Sequence, residues 1–208
     1  RVGLYRSGVL VGVAVFSHPS QEKVLARLPC DRAAAVELGR LVLLDGVEAN
    51  GESWFIARAF DELRGRGYEG VISHADPVRR TTAAGEVVLA GHIGTVYKAS
   101  NAVYAGLTWA RSIRLYADGR ALSERTRSKV RARERGWRAA VDELVAAGAT
   151  PPERTETAAD LHEWLLRELP KITRLLKHTG CHRYIFGLTP AVRKRLPASL
   201  PYPKFTLP

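Results

Sequence analysis

The 208-residue chain has no methionine and only two cysteines, Cys30 and Cys181. Two thiols far apart make neither a disulfide framework nor a zinc site, which points to an intracellular setting. No stretch approaches the roughly 18 consecutive apolar residues of a membrane-spanning helix, so no membrane span is expected. Internal repeats and low-complexity tracts are also missing. Acidic residues are scarce: 21 Asp and Glu stand against 32 Lys and Arg, a net charge of +11. Such a balance favours polyanionic partners, nucleic acid first and an anionic membrane or phosphorylated cofactor second. The chain opens at Arg1 inside a strand pattern, and together with the absence of Met this leads us to expect residues upstream of it.

What is present suits one sizeable domain. Apolar residues make up 46% of the chain, enough for an ordinary core. Two extended runs, 3–6 and 9–16, meet at Ser7-Gly8 and read as a hairpin. Residues 37–45 form a third strand. Asn50 then stands at a helix N-cap, and Phe55, Ile56, Ala59, Phe60 and Leu63 recur at helical spacing over 51–65. A short strand over 70–73 precedes a loop over 77–91, which holds a small hairpin near 87–90. Residues 91–108 read as a helix, with Tyr97, Asn101, Tyr104 and Thr108 on one stripe and Ile93, Val96, Ser100, Val103 and Leu107 beside them. A strand over 112–116, a helix over 123–147, a helix from Thr157 or Asp160 interrupted at Pro170, and a strand over 182–187 complete the reading. The proline-containing tail over 190–208 is expected to be ordered only by packing. Alternation of strands and helices implies an α/β or α+β fold, a mixed sheet flanked by helices.

Several residues point to chemistry. Asn50, Gly51 and Ser53 lie at a strand-to-helix junction, where backbone N–H groups can hold a phosphate. A capped surface helix explains them equally well. Arg40 interrupts an apolar strand, which is costly unless the charge is paired, with Asp76 for instance, or meets an anionic ligand. Asp76 follows a strand at its carboxyl end, where ligands bind in open α/β sheets, and can accept a proton from an amine. Tyr97 can donate one, and Asn101 on the same stripe needs partners if buried. His74, Asp76 and His92 offer a facial triad for ferrous iron as a weaker alternative. Between residues 111 and 138 ten cations, among them Arg125, Arg127, Lys129, Arg131 and Arg133, stand against three anions. That density can track a phosphate backbone. Trp54, Trp109 and Trp137 are either stacking platforms or, more ordinarily, core residues.

Taken together, ELGRL at 37–41, N-x-E-S at 50–53, S-x-A-D at 73–76, G-H-x-G-x-x-Y-x-A-x-N-x-x-Y-x-G at 91–106, H-R-Y at 182–184 and L-P-Y-P-K at 200–204 resemble the Mom family of bacteriophage DNA-modification proteins. The resemblance implies a GNAT acyltransferase-like fold that has lost its N-terminal elements here. It also implies an enzyme of the bacterial host cytoplasm that converts adenine in double-stranded DNA to a carbamoylmethyl-adenine, shielding phage DNA from restriction. It puts the catalytic roles on Asp76, Tyr97 and Arg40, and substrate contacts on Ser73, His92, Asn101 and Tyr104. The donor is expected to be acetyl-CoA or another acyl donor. The chain departs from the family in a longer loop over 77–90 and in His74, where a Tyr is common. The rival readings are an acetyl-CoA-dependent small-molecule N-acetyltransferase and a non-catalytic DNA-binding protein.

Overall fold

Ser7 (φ 49°) and Gly8 (φ 81°) are both left-handed and turn the chain between its first two strands, the geometry a tight hairpin demands. From there the computed structural model describes residues 1–19 and 21–204. In chain order the strands are β1 (Val2–Arg6), β2 (Val9–Ser17), β3 (Ala35–Leu43), β4 (Gly70–Ala75), β5 (Arg80–Thr81), β6 (Val87–Leu89), β7 (Val103–Leu107), β8 (Arg111–Leu115), β9 (Arg174–His178) and β10 (His182–Gly187). The helices are α1 (Gly51–Gly65), α2 (Thr95–Ala99), α3 (Glu124–Arg131), α4 (Trp137–Ala146), α5 (Ala158–Ile172) and α6 (Pro190–Arg195), and short 3-10 turns cover Glu22–Arg27 and Arg32–Ala34. The fold is mixed α/β, as the alternation of elements leads one to expect. Contacts gather into two compact units, one of residues 1–77, 92–109 and the described residues from 180 onward, the other of 78–91 and 110–179.

The first unit is built on a six-stranded sheet in the order β1-β2-β3-β4-β10-β7. Its pairs are antiparallel except β3 with β4, which run parallel. Phe55, Ile56, Ala59, Phe60 and Leu63 of α1 bury one stripe against Ala14, Val36, Leu38 and Val71. Each large side chain contributes about 1.5–3 kcal/mol of burial. The same face continues into an aromatic end of Tyr97, Tyr104, Tyr184 and Phe186. The opposite face is closed by Leu25 and Leu28 over Ala35, Ile72 and Ile185.

Two expectations fail in this unit. Asn50 does mark the start of α1, but it is left-handed (φ 67°) and its side chain makes no capping bond. The long helix over 91–108 is absent. Only Thr95–Ala99 is helical, and it ends as Asn101 turns left-handed (φ 59°) while the Ala102 N–H bonds back to the Tyr97 carbonyl, a Schellman closure. Val103–Leu107 then forms the edge strand β7 against β10. Gly91, Gly94 and Gly106 also have positive φ, which a continuous helix does not tolerate. The far edge of β7 is covered by the tail: the Leu200 N–H bonds to the Tyr104 carbonyl at 3.1 Å, and Ser199 Oγ accepts from the Tyr104 N–H at 3.1 Å. The tail over 190–208 also carries α6, which the sequence reading did not foresee; residues 205–208 lie outside the described residues.

The second unit packs α3, α4 and α5 around Val130, Trp137, Leu144, Leu161 and Trp164, with the two-stranded ladders β5–β6 and β8–β9. The single helix expected over 123–147 is two, because Arg133 (φ 50°) and Gly136 (φ 84°) break it. In contrast, α5 runs through Pro170, which falls in the last turn. Thr157 and Asp160 form a capping box at its start. Among the described residues no helix is long and apolar enough to cross a membrane.

Candidate active site

The parallel strands β3 and β4 pair only from Ala35–Gly70 to Leu38–Ser73. Beyond that point β3 stays with β2, and β4 stays with β10. The strands therefore part toward their carboxyl ends and leave a fork, with Ser73 Oγ donating to the Leu38 carbonyl at 2.9 Å at its apex. A bulge accompanies the parting. Phe16 pairs with Leu38 but Val15 pairs with Arg40, so Gly39 is the extra residue. The consequence is a change of face: Leu38 shares the α1 face with Phe16, whereas Arg40 points with Val15 to the other side. Open crevices at the carboxyl ends of parallel strands are where α/β sheets bind ligands.

On the α1 face, Tyr97 lies buried beside Tyr184, with ring centroids 5.2 Å apart, and beside Phe186 at 6.2 Å. Its phenol hydrogen-bonds Ser73. Burial raises the Tyr97 pKa, and the bond to Ser73 offsets this only in part, so the group is a proton donor at neutral pH. The structure thus brings Tyr97 and Ser73 together at the apex. Tyr104, expected on a helix with Tyr97, instead reaches this face from β7 and shares a 2.8 Å hydrogen bond with His182 Nδ1. The His182 pKa is lowered, mainly by burial and secondarily by His92. Tyr184 donates to the Ile93 carbonyl, and burial, then its tyrosine neighbours, push its pKa up to about 12.

Asp76 directly follows β4, and its carbonyl accepts the His92 N–H at 2.8 Å. On the face opposite Tyr97, His74 Nδ1 lies 2.9 Å from Glu37 Oε1, and Arg183 of β10 is the residue opposed to His74. Arg40 joins this face through the bulge. It is exposed and has no ion-pair partner among the described residues, so the expected pairing with Asp76 is not made. His74, Asp76 and His92 do not bring three ligand atoms together among the described residues, and the imidazole of His74 is engaged by Glu37. Glu37 and Arg183 escaped the sequence reading. The available signal was a carboxylate in a buried strand, which requires a partner.

Asn50 and Ser53 line a groove of about 530 Å³ with Trp54, Arg58, Asp61, Arg64, Asn101 and Arg193. Asn101 therefore belongs with α1 rather than with the Tyr97 phenol. Arg58 and Arg64 share the single carboxylate of Asp61, and the groove keeps a positive balance. The N–H groups of Glu52 and Ser53 open the helix without an intrahelical acceptor, while that of Gly51 is spent on the Glu48 carbonyl. Gly51 is required by packing, since a Cβ there would lie 2.4 Å from Val47 Cγ1. Positive charge and open amides fit the phosphate arm of an acyl-CoA-type donor, despite Glu52 in the first turn.

The basic segment opens with β8 and fills α3. Arg125 is paired with Glu134 at 2.6 Å and Arg127 with Glu124 at 2.7 Å. Arg133 donates to the Thr155 carbonyl and lies over the Trp137 ring. Lys129 and Arg131 have no ion pair among the described residues, and Arg131 is exposed. Of the three tryptophans, Trp137 packs in the core. Trp54 and Trp109 do not: they are 56% and 93% exposed.

The model of the Mom protein family matches residues 1–204. Among solved structures, a tandem GNAT protein from the clavulanic acid biosynthesis pathway (without AcCoA) is similar over 89% of this chain and 82% of its own, at 13% identity and a TM-score of 0.44. No curated protein matches the chain.

Proposed function

Because the chain belongs to the Mom protein family, a family of phage DNA-modification proteins, we propose that it transfers a carbamoylmethyl group to the exocyclic amine of adenine in double-stranded DNA. The action would take place in the cytoplasm of a bacterial host, and the modified DNA resists restriction. What carries the reading is the fork between β3 and β4. A buried phenol stands on one face of it and a carboxylate–imidazole pair with an open arginine on the other, and Asp76 stands at the end of β4.

The target base leaves the duplex at a cost of a few kcal/mol. Its amine is a weak nucleophile because the lone pair is delocalised into the ring. Asp76 accepts a hydrogen bond from the amine and takes its proton as the new N–C bond forms. The donor supplies an electrophilic carbon with a leaving group. The bond to that group breaks with the electron pair going to the group, and Tyr97 provides its proton. Arg40 neutralises charge as it develops. Asn50, Ser53, Arg58, Arg64 and Asn101 would hold a phosphate-bearing donor such as an acyl-CoA. Lys129 and Arg131 would meet the DNA backbone, with Arg125, Arg127 and Arg133 joining them by exchanging their present partners for phosphate.

The test is nucleoside mass spectrometry of plasmid DNA from cells expressing the protein. A new adenine adduct is expected, and Asp76→Ala should abolish it while the protein remains folded. Unmodified DNA with acetyl-CoA turnover on a small amine would replace this reading with a small-molecule acetyltransferase. Tight DNA binding without any adduct would leave a non-catalytic binder.

A further inference from the structure

Trp109 is 93% exposed. The aromatic Trp137 and Trp164 of the same chain are buried, and burying an indole is among the larger contributions a side chain makes. An indole left in water forgoes that contribution, yet this one is displayed on a rigid base. The residue before it, Thr108, is tied twice to the turn that leads into β10: its N–H donates to the Cys181 carbonyl at 2.9 Å, and its Oγ1 accepts from the Cys181 N–H at 2.8 Å. Gly180 makes this approach possible. It has φ +100°, and a Cβ there would lie 2.2 Å from the Thr108 carbonyl oxygen. Two residues further along the chain, Arg111 begins the segment in which ten cations meet three anions. A firmly seated indole adjoining such a segment has the chemistry to stack on a base while the cations hold the phosphates.

We propose that Trp109 is the wedge that enters the DNA stack and fills the space left by the extruded adenine. This rests on the DNA-modification reading and adds the residue that holds the flipped state open. Unstacking and unpairing oppose extrusion, and an inserted apolar or aromatic side chain offsets part of that cost. The wedge acts on the duplex rather than on the chemistry. Its contribution must therefore disappear when the target base has no partner to leave.

The experiment uses the full chain and two duplexes, one with the target adenine opposite thymine and one with it opposite an abasic site. A parallel pair carries 2-aminopurine in place of the adenine as a fluorescent reporter of unstacking. Trp109→Ala is expected to lower modification of the paired duplex about 5- to 100-fold, the worth of one base–aromatic stack. The loss should shrink to less than about 3-fold opposite the abasic site, where flipping is cheap. Trp109→Phe should keep most of the wild-type rate. Wild-type protein should raise 2-aminopurine emission in the paired duplex, and Trp109→Ala should not.

An equal loss on both duplexes means that Trp109 only supports the fold and overturns the proposal. The absence of a Trp109-dependent emission rise does the same, as does self-association of the protein that Trp109→Ala abolishes with no change on DNA. Emission that rises through Trp109 without any adduct keeps the wedge and removes the transfer reading. Adducts formed at the same rate by Trp109→Ala on paired DNA keep the transfer reading and remove the wedge.

Discussion

In the second unit the one buried carboxylate, Glu168, receives Lys171 at 2.7 Å, Arg167 at 3.1 Å and the Thr150 N–H at 3.1 Å. In the first unit the buried polar groups are phenols and imidazoles, Tyr97, Tyr104, Tyr184 and His182, and they sit at the open end of a sheet whose strands have parted. A carboxylate given three donors is finished: it holds α5 to the Thr150 turn and has no capacity left for a ligand. A phenol with one partner and a raised pKa keeps a proton to give. The difference separates a unit whose polarity serves the fold from one whose polarity is arranged for chemistry.

The comparison can be broken most sharply at Tyr97. Tyr97→Phe removes one hydroxyl from a packed aromatic cluster and should lower adenine modification by about 100-fold or more, while the melting temperature moves little. A large loss of stability with unchanged activity per folded molecule would place Tyr97 on the structural side. The mirror experiment is Leu144→Ala in the second unit, where Leu144 is fully buried. It should cost about 2–5 kcal/mol in urea unfolding and leave the rate per folded molecule near wild type.

Acid should separate the units next. The lowered pKa of His182, due first to burial and then to His92, gives stability present above its unfolded value of about 6.5 and lost as pH falls toward the folded value. The Glu168 carboxyl is held at about 2, above all by Lys171 and then by the Thr150 N–H and Arg167. Its contribution is present above about 4.3 and is lost only as pH falls from there toward 2. Hydrogen exchange along an acid series should therefore show protection falling first around β10 and later around α5, with Glu168→Gln removing the second step. The smallest effect concerns DNA. Lys129→Ala and Arg131→Ala should each reduce the slope of log affinity against log salt by about 1, whereas Arg120→Ala, whose guanidinium is tied to Asp118 at 2.6 Å, should change it less.

Much of this frame is legible locally. The Ser7-Gly8 hairpin, the apolar stripe of α1 and the placement of Asp76 after a buried strand follow from turn chemistry and periodicity over a few residues. The charge excess over 111–138 is a matter of composition. Local reading failed where a distant partner decided the outcome. Tyr97, Asn101 and Tyr104 do recur at helical spacing, yet Val103–Leu107 is a strand because β10, some 80 residues later, offers it a ladder. For the same reason β9 went unread until β8 was there to pair with it. Pro170 looked like a break because periodicity does not show that α5 has already reached its last turn.

The sequence alone therefore determined the mixed α/β class, the hairpin and first helix, the Asp76 junction and the basic segment. Each of these is settled by interactions within about one turn or by composition. Only the tertiary structure decided that Arg40 and Glu37 face away from Tyr97, that Tyr104 meets His182 instead of continuing a helix, and that Trp109 stands in water. All three depend on strand register. A single bulged residue at Gly39 is enough to exchange faces, because side chains alternate with a period of two and any one-residue offset carries everything beyond it to the other side of the sheet.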